Sequence, residues 1–272
     1  MSMEQKHTGA WMWAVVAIVL FGLLMFFELT IPGRILFTSD NNIGQTALVR
    51  SMLPGGWRGG GWWDGELLGQ PMMLNFNLTN LLLWALPLEF AHNWIRWIHL
   101  VLASLLFMLF LREHRRSWPA AFFGTLVAFW LGQFTIFTYG GHLGKCGALV
   151  FASGFLWATA VAARRGSLAW GALAGVFLGG AFAEQPDIGL LYALGLGLYP
   201  LHAWTRKHGF GIRRLALFHL VLFGVAFLLA LIPLLRGYDA AIRESDTIRS
   251  PDREAKWNYI TQWSLPPEDV ID

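Results

Sequence analysis

The chain has 272 residues, 56% of them hydrophobic and only 14% charged, with a formal net charge of +3. A soluble domain carries roughly 25% charged residues, so a mean hydropathy of +0.49 excludes an ordinary soluble fold. The positive charges sit beside apolar runs, which assigns them to membrane topology and excludes nucleic acid as a partner.

A polar start, MSMEQKHTG, precedes an apolar run from Ala10 to Leu29. At about 20 residues this run is long enough to cross hydrocarbon, and it lacks the short apolar region and cleavage site of a signal peptide. It reads as an uncleaved signal anchor. The first outside loop, about residues 30–94, is the longest interruption. Within it, IPGRILFTSDNNIGQTALVRSMLP opens on a Pro-Gly turn and continues as a short amphipathic helix, with Ile43, Ala47 and Leu48 on one side. Ser39 or Asp40 could supply its N-cap. GGWRGGGWWDGELLGQP joins interfacial tryptophans to glycines that turn tightly, and LTNLLLWALPLEF is too short to span alone. The segment therefore reads as a structured cap on the outer leaflet.

Six further apolar runs follow: Ile95–Leu111, Ala120–Tyr139, Cys146–Ala163, Leu168–Ala183, Ile188–Trp204 and Leu215–Leu235. The expectation is an all-α polytopic membrane protein of about seven transmembrane helices, with interfacial helices in the first outside loop. Gly171, Gly175 and Gly179 recur every four residues and mark a helix-packing stripe. Pro233 marks a helix terminus or kink. Residues 1–236 form the transmembrane domain. Residues 237–272 are a charged outside tail, expected to be the start of a truncated region, with the chain an N-terminal fragment of something larger. Cys146, the single cysteine, leaves no internal disulfide and reads as a small buried residue.

The polar breaks sort into two kinds. Arg112, Arg115 and Arg116, then Arg164 and Arg165, then Arg206, Lys207, Arg213 and Arg214 occupy three breaks. Cations in short loops mark the cytoplasmic side. The N-terminus is then cytoplasmic and the tail outside, as expected of an integral protein of the bacterial inner (plasma) membrane. The other breaks carry Asp40, Asp64 and Glu66, then His142 and Lys145, then Glu184 and Asp187, all on the outer face.

Each of these has a plain reading beside a functional one. Asp40 can cap a helix and still face a ligand. Asp64 and Glu66, in WWDGELLG, are turn residues or secondary site candidates. His142 and Lys145, in GGHLGK, are solvated interfacial groups or a pair facing a ligand that the neighbouring glycines let approach. Glu184 and Asp187, in EQPD, are a polar connection or an acceptor or cation site, because ionisable groups at membrane depth are functional by default. Two close carboxylates repel unless a cation or shared proton intervenes, and a hard divalent ion would suit them.

TSDNNIGQ, WWDGELLGQP with NLTNLLLWALP, GGHLGK, AEQPDIGLLYAL and TQWSLPPED, taken in order, resemble the YfhO-like bacterial membrane proteins of the glycosyltransferase C (GT-C) superfamily. The resemblance covers nearly the whole chain. It implies a GT-C-like fold and a membrane glycosyltransferase that takes sugar from a polyprenyl-phosphate-linked donor at the outer face of the membrane. The acceptor would be an envelope glycan, lipid or polymer, so the partners are membrane lipid, the lipid-linked donor and that acceptor. Asp40 matches the superfamily's acid and would be the catalytic base or a metal ligand. His142 and Lys145 would bind the donor phosphate, and Glu184 and Asp187 would position the acceptor or hold a cation. A divalent cation, Mg²⁺ or Mn²⁺, would rest on Asp40, Glu184 and Asp187. The rival readings are a cation-coupled transporter or flippase with EQPD at a helix break, and a non-catalytic envelope-assembly scaffold.

Overall fold

The computed structural model describes residues 3–38, 42–56, 61–63, 70–72, 76–131, 138 and 140–247. The described residues are predominantly helical. In chain order they form α1 (Met3–Met25) with a 3-10 turn at Phe27–Thr30, α2 (Ile43–Gly56), strands β1 (Gly61–Trp63) and β2 (Gln70–Met72), α3 (Leu78–Ala85), α4 (Leu88–Glu113), α5 (Trp118–Phe129), α6 (Leu143–Arg165), α7 (Leu168–Glu184), α8 (Pro186–Leu196), α9 (Tyr199–His208) and α10 (Ile212–Thr247). The chain forms two compact units, Met1–Leu234 and Leu235–Asp272. The second is described as far as Thr247, where it is helical.

Among the described residues, three helical segments are long and apolar enough to cross a membrane: Leu88–Glu113, Leu143–Arg165 and Ile212–Leu235. Ile212–Leu235 is the most apolar of the three, yet only 28% of its window is buried, against 78% for Leu143–Arg165. Leu220 and Leu228 on that segment are 70% and 68% exposed. An apolar surface of that kind is stable against lipid and not against water. Membrane association follows from this inversion of apolarity and burial.

α6 is the central element. Its first half packs on α4 in a cluster that also takes in α1 and α5, through Ile18, Leu100, Ala103, Met108, Ala121, Leu149 and Val150. Its second half packs with α7 and α10 through Phe155, Ala158, Ala174, Leu178, Phe218 and Leu222. The Gly171–Gly175–Gly179 stripe does what its spacing predicts. Added side chains there would meet Phe218 at Gly171, the Leu222 carbonyl at Gly175 and Leu229 at Gly179, so α10 lies directly on the stripe.

The first outside loop also folds onto the bundle. Met52 and Leu53 of α2, Leu83 of α3, Ala91 and Ile95 of α4 and Leu143 of α6 make one cluster. The short amphipathic helix expected after TSDNN is α2, and LTNLLLWA is α3, held by Asn77, whose side chain accepts the Asn80 N–H at 2.7 Å. The Gly/Trp segment adds an antiparallel hairpin that places Trp62 opposite Pro71; its pairing depends on a partner strand that local glycine content does not reveal.

Some expected elements differ. The run Ala120–Tyr139 gives α5, which ends at Phe129 with Trp130 as its C-cap. The run Ile188–Trp204 is not one helix: α8 ends at Leu196 and α9 begins at Tyr199. Pro200 has no N–H for the residue 196 carbonyl, and its ring crowds that carbonyl. Of the two expectations for Pro233, a terminus is ruled out because α10 continues through it; such prolines are tolerated in apolar helices where local adjustments satisfy the freed carbonyl.

Candidate functional site

The EQPD break is built by chain geometry. Gln185 is extended (φ −155°, ψ 106°), and Pro186 takes the first turn of α8, where its missing N–H costs nothing. α7 therefore ends on Glu184, which is only 8% exposed. Thr79 donates twice to this carboxylate, through its N–H to Oε1 at 3.0 Å and its hydroxyl to Oε2 at 2.6 Å. Alongside, the Asn77 amide donates to the Ala183 carbonyl at 3.0 Å. Glu184 thus closes the open N-terminus of α3, where backbone N–H groups and the helix dipole favour negative charge.

The glycines of GGHLGKCG make room for this contact. A side chain on Gly147 would collide with the Glu184 carboxylate and come within 2.9 Å of Thr79 Oγ1. One on Gly144 would lie 3.0 Å from Gln185 Oε1 and 3.1 Å from the Glu184 carbonyl. The close approach expected of these glycines is real, and the group approaching is the EQPD break itself. His142 occupies the N-cap position of α6, and Lys145 lies in its first turn, which carries no acid. Both are half-buried.

Glu184 lies at the break, outside the three candidate spans. Burial pushes its carboxyl up to about 7, against the opposing pull of the Thr79 hydroxyl and N–H. The sign follows from linkage: the folded state holds this proton more tightly than the unfolded chain does. The stability due to Glu184 is complete below its unfolded value of 4.5, falls as pH rises toward 7, and is level above. Thermal unfolding in detergent is therefore expected at a falling midpoint between these limits. Glu184→Gln, which mimics the neutral acid, should flatten that part of the profile by roughly 1–3 kcal/mol.

Asp187 goes its own way. It is exposed, with the Gln185 amide 3.4 Å from its Oδ2. The two EQPD acids are thus separated by burial and by partner. Among the described residues, no group of three or more His, Cys, Asp or Glu could hold a metal ion. Of the three carboxylates expected to hold a divalent cation, Asp40 lies outside the described residues, and both Glu184 oxygens accept from Thr79.

Asp40, Asp64 and Glu66 lie outside the described residues, but both flanks of Asp40 are clamped by the start of α4. Asn93 accepts the Leu36 N–H and donates to the Arg34 carbonyl, each at 2.9 Å. His92 Nε2 meets the Leu36 carbonyl and its Nδ1 the Thr46 hydroxyl, both at 2.9 Å. A carbonyl only accepts, so Nε2 carries the proton. The cap expected from Ser39 or Asp40 is supplied by Asn42, whose side chain accepts the Gln45 N–H at 3.0 Å. Beside this segment lies a cavity of about 520 Å³ lined by Phe26, Leu29 and Leu36 together with Glu28 and Arg34, which pair at 3.2 Å.

The basic breaks meet elsewhere. Arg164 donates to Glu113, with Nη2 3.2 Å from Oε1, the Tyr199 hydroxyl lies 3.2 Å from His114, and His208 binds the Ala163 carbonyl at 2.7 Å. The C-terminal ends of α4 and α6 are thus grouped, with α9 reaching the first through Tyr199 at its start and the second through His208 at its end. The N-terminal ends of α3 and α6 and the end of α7 are grouped at the Glu184 contact. Among the described residues, the basic breaks and the breaks that carry Glu184 and the GGHLGK turn thus make separate groups of contacts.

Thr79, Asn77, His92 and Asn93 were not singled out by sequence reasoning. NLTN carries a capping pattern that signals the first pair. His92 and Asn93 are polar residues beside an apolar run, which was signal enough to ask for their partners. Comparison with protein-family models, with curated proteins and with solved structures finds no match.

Proposed function

We propose that this chain is a polytopic inner-membrane glycosyltransferase of the GT-C kind, with about seven spans and its site on the outer face. It would take sugar from a polyprenyl-phosphate-linked donor to an envelope glycan, lipid or polymer. The observation that supports this most is the junction of the α2–α3 cap, the GGHLGK turn and the EQPD break at one end of the bundle. Asn42 caps α2, and α4 holds Leu36 and Thr46 in the flanking segments. The Asp40 carboxylate would take the proton of the acceptor hydroxyl as the glycosidic bond breaks. His142 and Lys145, at the positive end of α6, suit the phosphate on which negative charge develops. Glu184 acts by holding α3 in place and Asp187 by facing the acceptor. No step is assigned to a metal.

The test is transfer of labelled sugar from a membrane lipid fraction by the correctly inserted full-length protein. Asp40→Asn should lower the rate by roughly 10²–10⁴-fold, the range of general-base catalysis. Lys145→Gln should weaken use of the donor, while Glu184→Gln, which preserves shape, should cost far less than Asp40→Asn. Undiminished transfer by the Asp40 and Lys145 variants would remove the proposed site.

A further inference from the structure

The groove between α9 and α10 has a use that sugar transfer does not require. It encloses about 320 Å³ and is lined by Leu198, Leu201, Ile212, Leu215, Ala216 and His219, with Gly197 at its edge. On α10 the lining positions 212, 215, 216 and 219 follow the spacing of a single helix face. The rim is apolar and open: Leu198 is 75% exposed and Ile212 74%. The turn that joins the two helices concentrates positive charge, with Arg206 and Lys207 in the last turn of α9 and Arg213 and Arg214 in the first turn of α10, all four exposed.

One wall residue is polar. His219 Nδ1 donates to the Leu215 carbonyl at 2.9 Å, and among the described residues its Nε2, buried, has no hydrogen-bond partner. Seven residues along a helix from Ile212, it lies about 10 Å deeper than the cationic turn. An apolar groove beneath a cationic rim matches the acyl chain and the phosphate of one lipid. Basic pockets between membrane helices suit anionic headgroups, and each cation near the membrane surface adds to the attraction.

We propose that the α9–α10 groove is a binding site for an anionic phospholipid, with an acyl chain along Leu201, Leu215 and Ala216 and the phosphate on Arg206, Lys207, Arg213 and Arg214. It rests on the membrane association of the chain and not on its enzymatic reading, so failure of either leaves the other standing.

Native mass spectrometry of the full chain released from detergent tests it, with dioleoyl phosphatidylglycerol, dioleoyl phosphatidylcholine and soluble glycerol phosphate as probes. Phosphatidylglycerol should be retained about tenfold better than phosphatidylcholine, a ratio worth about 1.4 kcal/mol, and glycerol phosphate should add no mass. R213Q/R214Q should erase the preference between the two lipids. Ala216→Trp should cut retention of both lipids by filling the groove. These positions are exposed, so the variants do not disturb the core. Equal retention of the two lipids by the native chain would overturn the proposal, as would phosphatidylglycerol retention unchanged by Ala216→Trp. Retention of glycerol phosphate as strong as that of the lipid would identify a free-phosphate site instead and would equally overturn it.

Discussion

Gly175→Val is expected to take the bundle apart at the α7–α10 contact. Even the first carbon of a side chain there collides with the Leu222 carbonyl oxygen and lies 2.9 Å from Val225 Cβ. A backbone carbonyl cannot rotate out of the way as a side-chain tip can. The two helices must separate, and separation opens the cluster that Leu178 shares with Leu222 and Ala226. Overpacking in a dense core costs roughly 1–3 kcal/mol when neighbours yield, so a site where they cannot yield is expected above that range. For a unit of this size the thermal midpoint should fall by more than about 6 °C, with aggregation on size exclusion in mild detergent. Gly224 is the matched control, since an added side chain there meets nothing within 4 Å. Gly224→Ala should leave the midpoint unchanged or raise it slightly. A normal midpoint for Gly175→Val would mean that α10 does not rest on this stripe.

That contact was legible in the sequence because small residues four apart on an apolar run have one common use in helix packing. The sorting of Arg-bearing from acid-bearing breaks was legible for a similar reason: charge beside an apolar run has few tolerable positions. What could not be read was which polar group answers which. Glu184 advertised itself as costly, and its partner, Thr79, lies 105 residues away in a segment whose apolar content drew attention instead. Gly147 was seen as permissive, but the group it admits is fixed by how α6 meets α7. The cap on α2 fell to Asn42 because the helix begins at Ile43, and boundaries shift easily by the two residues that decide between Asn42 and Asp40. The interruption between α8 and α9 carried its own signal in Gly195, Gly197 and Pro200, outweighed by the apolar length of the run. Asp40, Asp64 and Glu66 remain sequence assignments, with only the clamp on Asp40's flanks given by the structure.

The second large effect is expected at Gly147. Gly147→Ala drives a methyl group into the Glu184 carboxylate and to within 2.9 Å of Thr79 Oγ1. The carboxylate is a side-chain tip, but it is buried and held by two hydrogen bonds, so its movement leaves the Thr79 N–H without an acceptor at the start of α3. An orphaned buried donor costs roughly 1–3 kcal/mol, and a buried carboxylate torn from its donors costs more. The expected sum, about 2–4 kcal/mol, falls on α3 first, because Asn77 and Thr79 are what tie that helix to the end of α7. Amide hydrogen exchange over residues 78–85 should accelerate roughly 30- to 800-fold while the α6–α7 core stays protected. Gly144→Ala, whose nearest new contacts are at 3.0–3.1 Å, should accelerate it far less. The cause can be isolated by a double-mutant cycle with Glu184→Ala. If the collision with the carboxylate is the origin, removing the carboxylate removes most of the penalty of Gly147→Ala, and the double variant should be little worse than Glu184→Ala alone. Additive losses would show that Gly147 serves α6 itself and that the Glu184–Thr79 contact does not depend on the space it leaves.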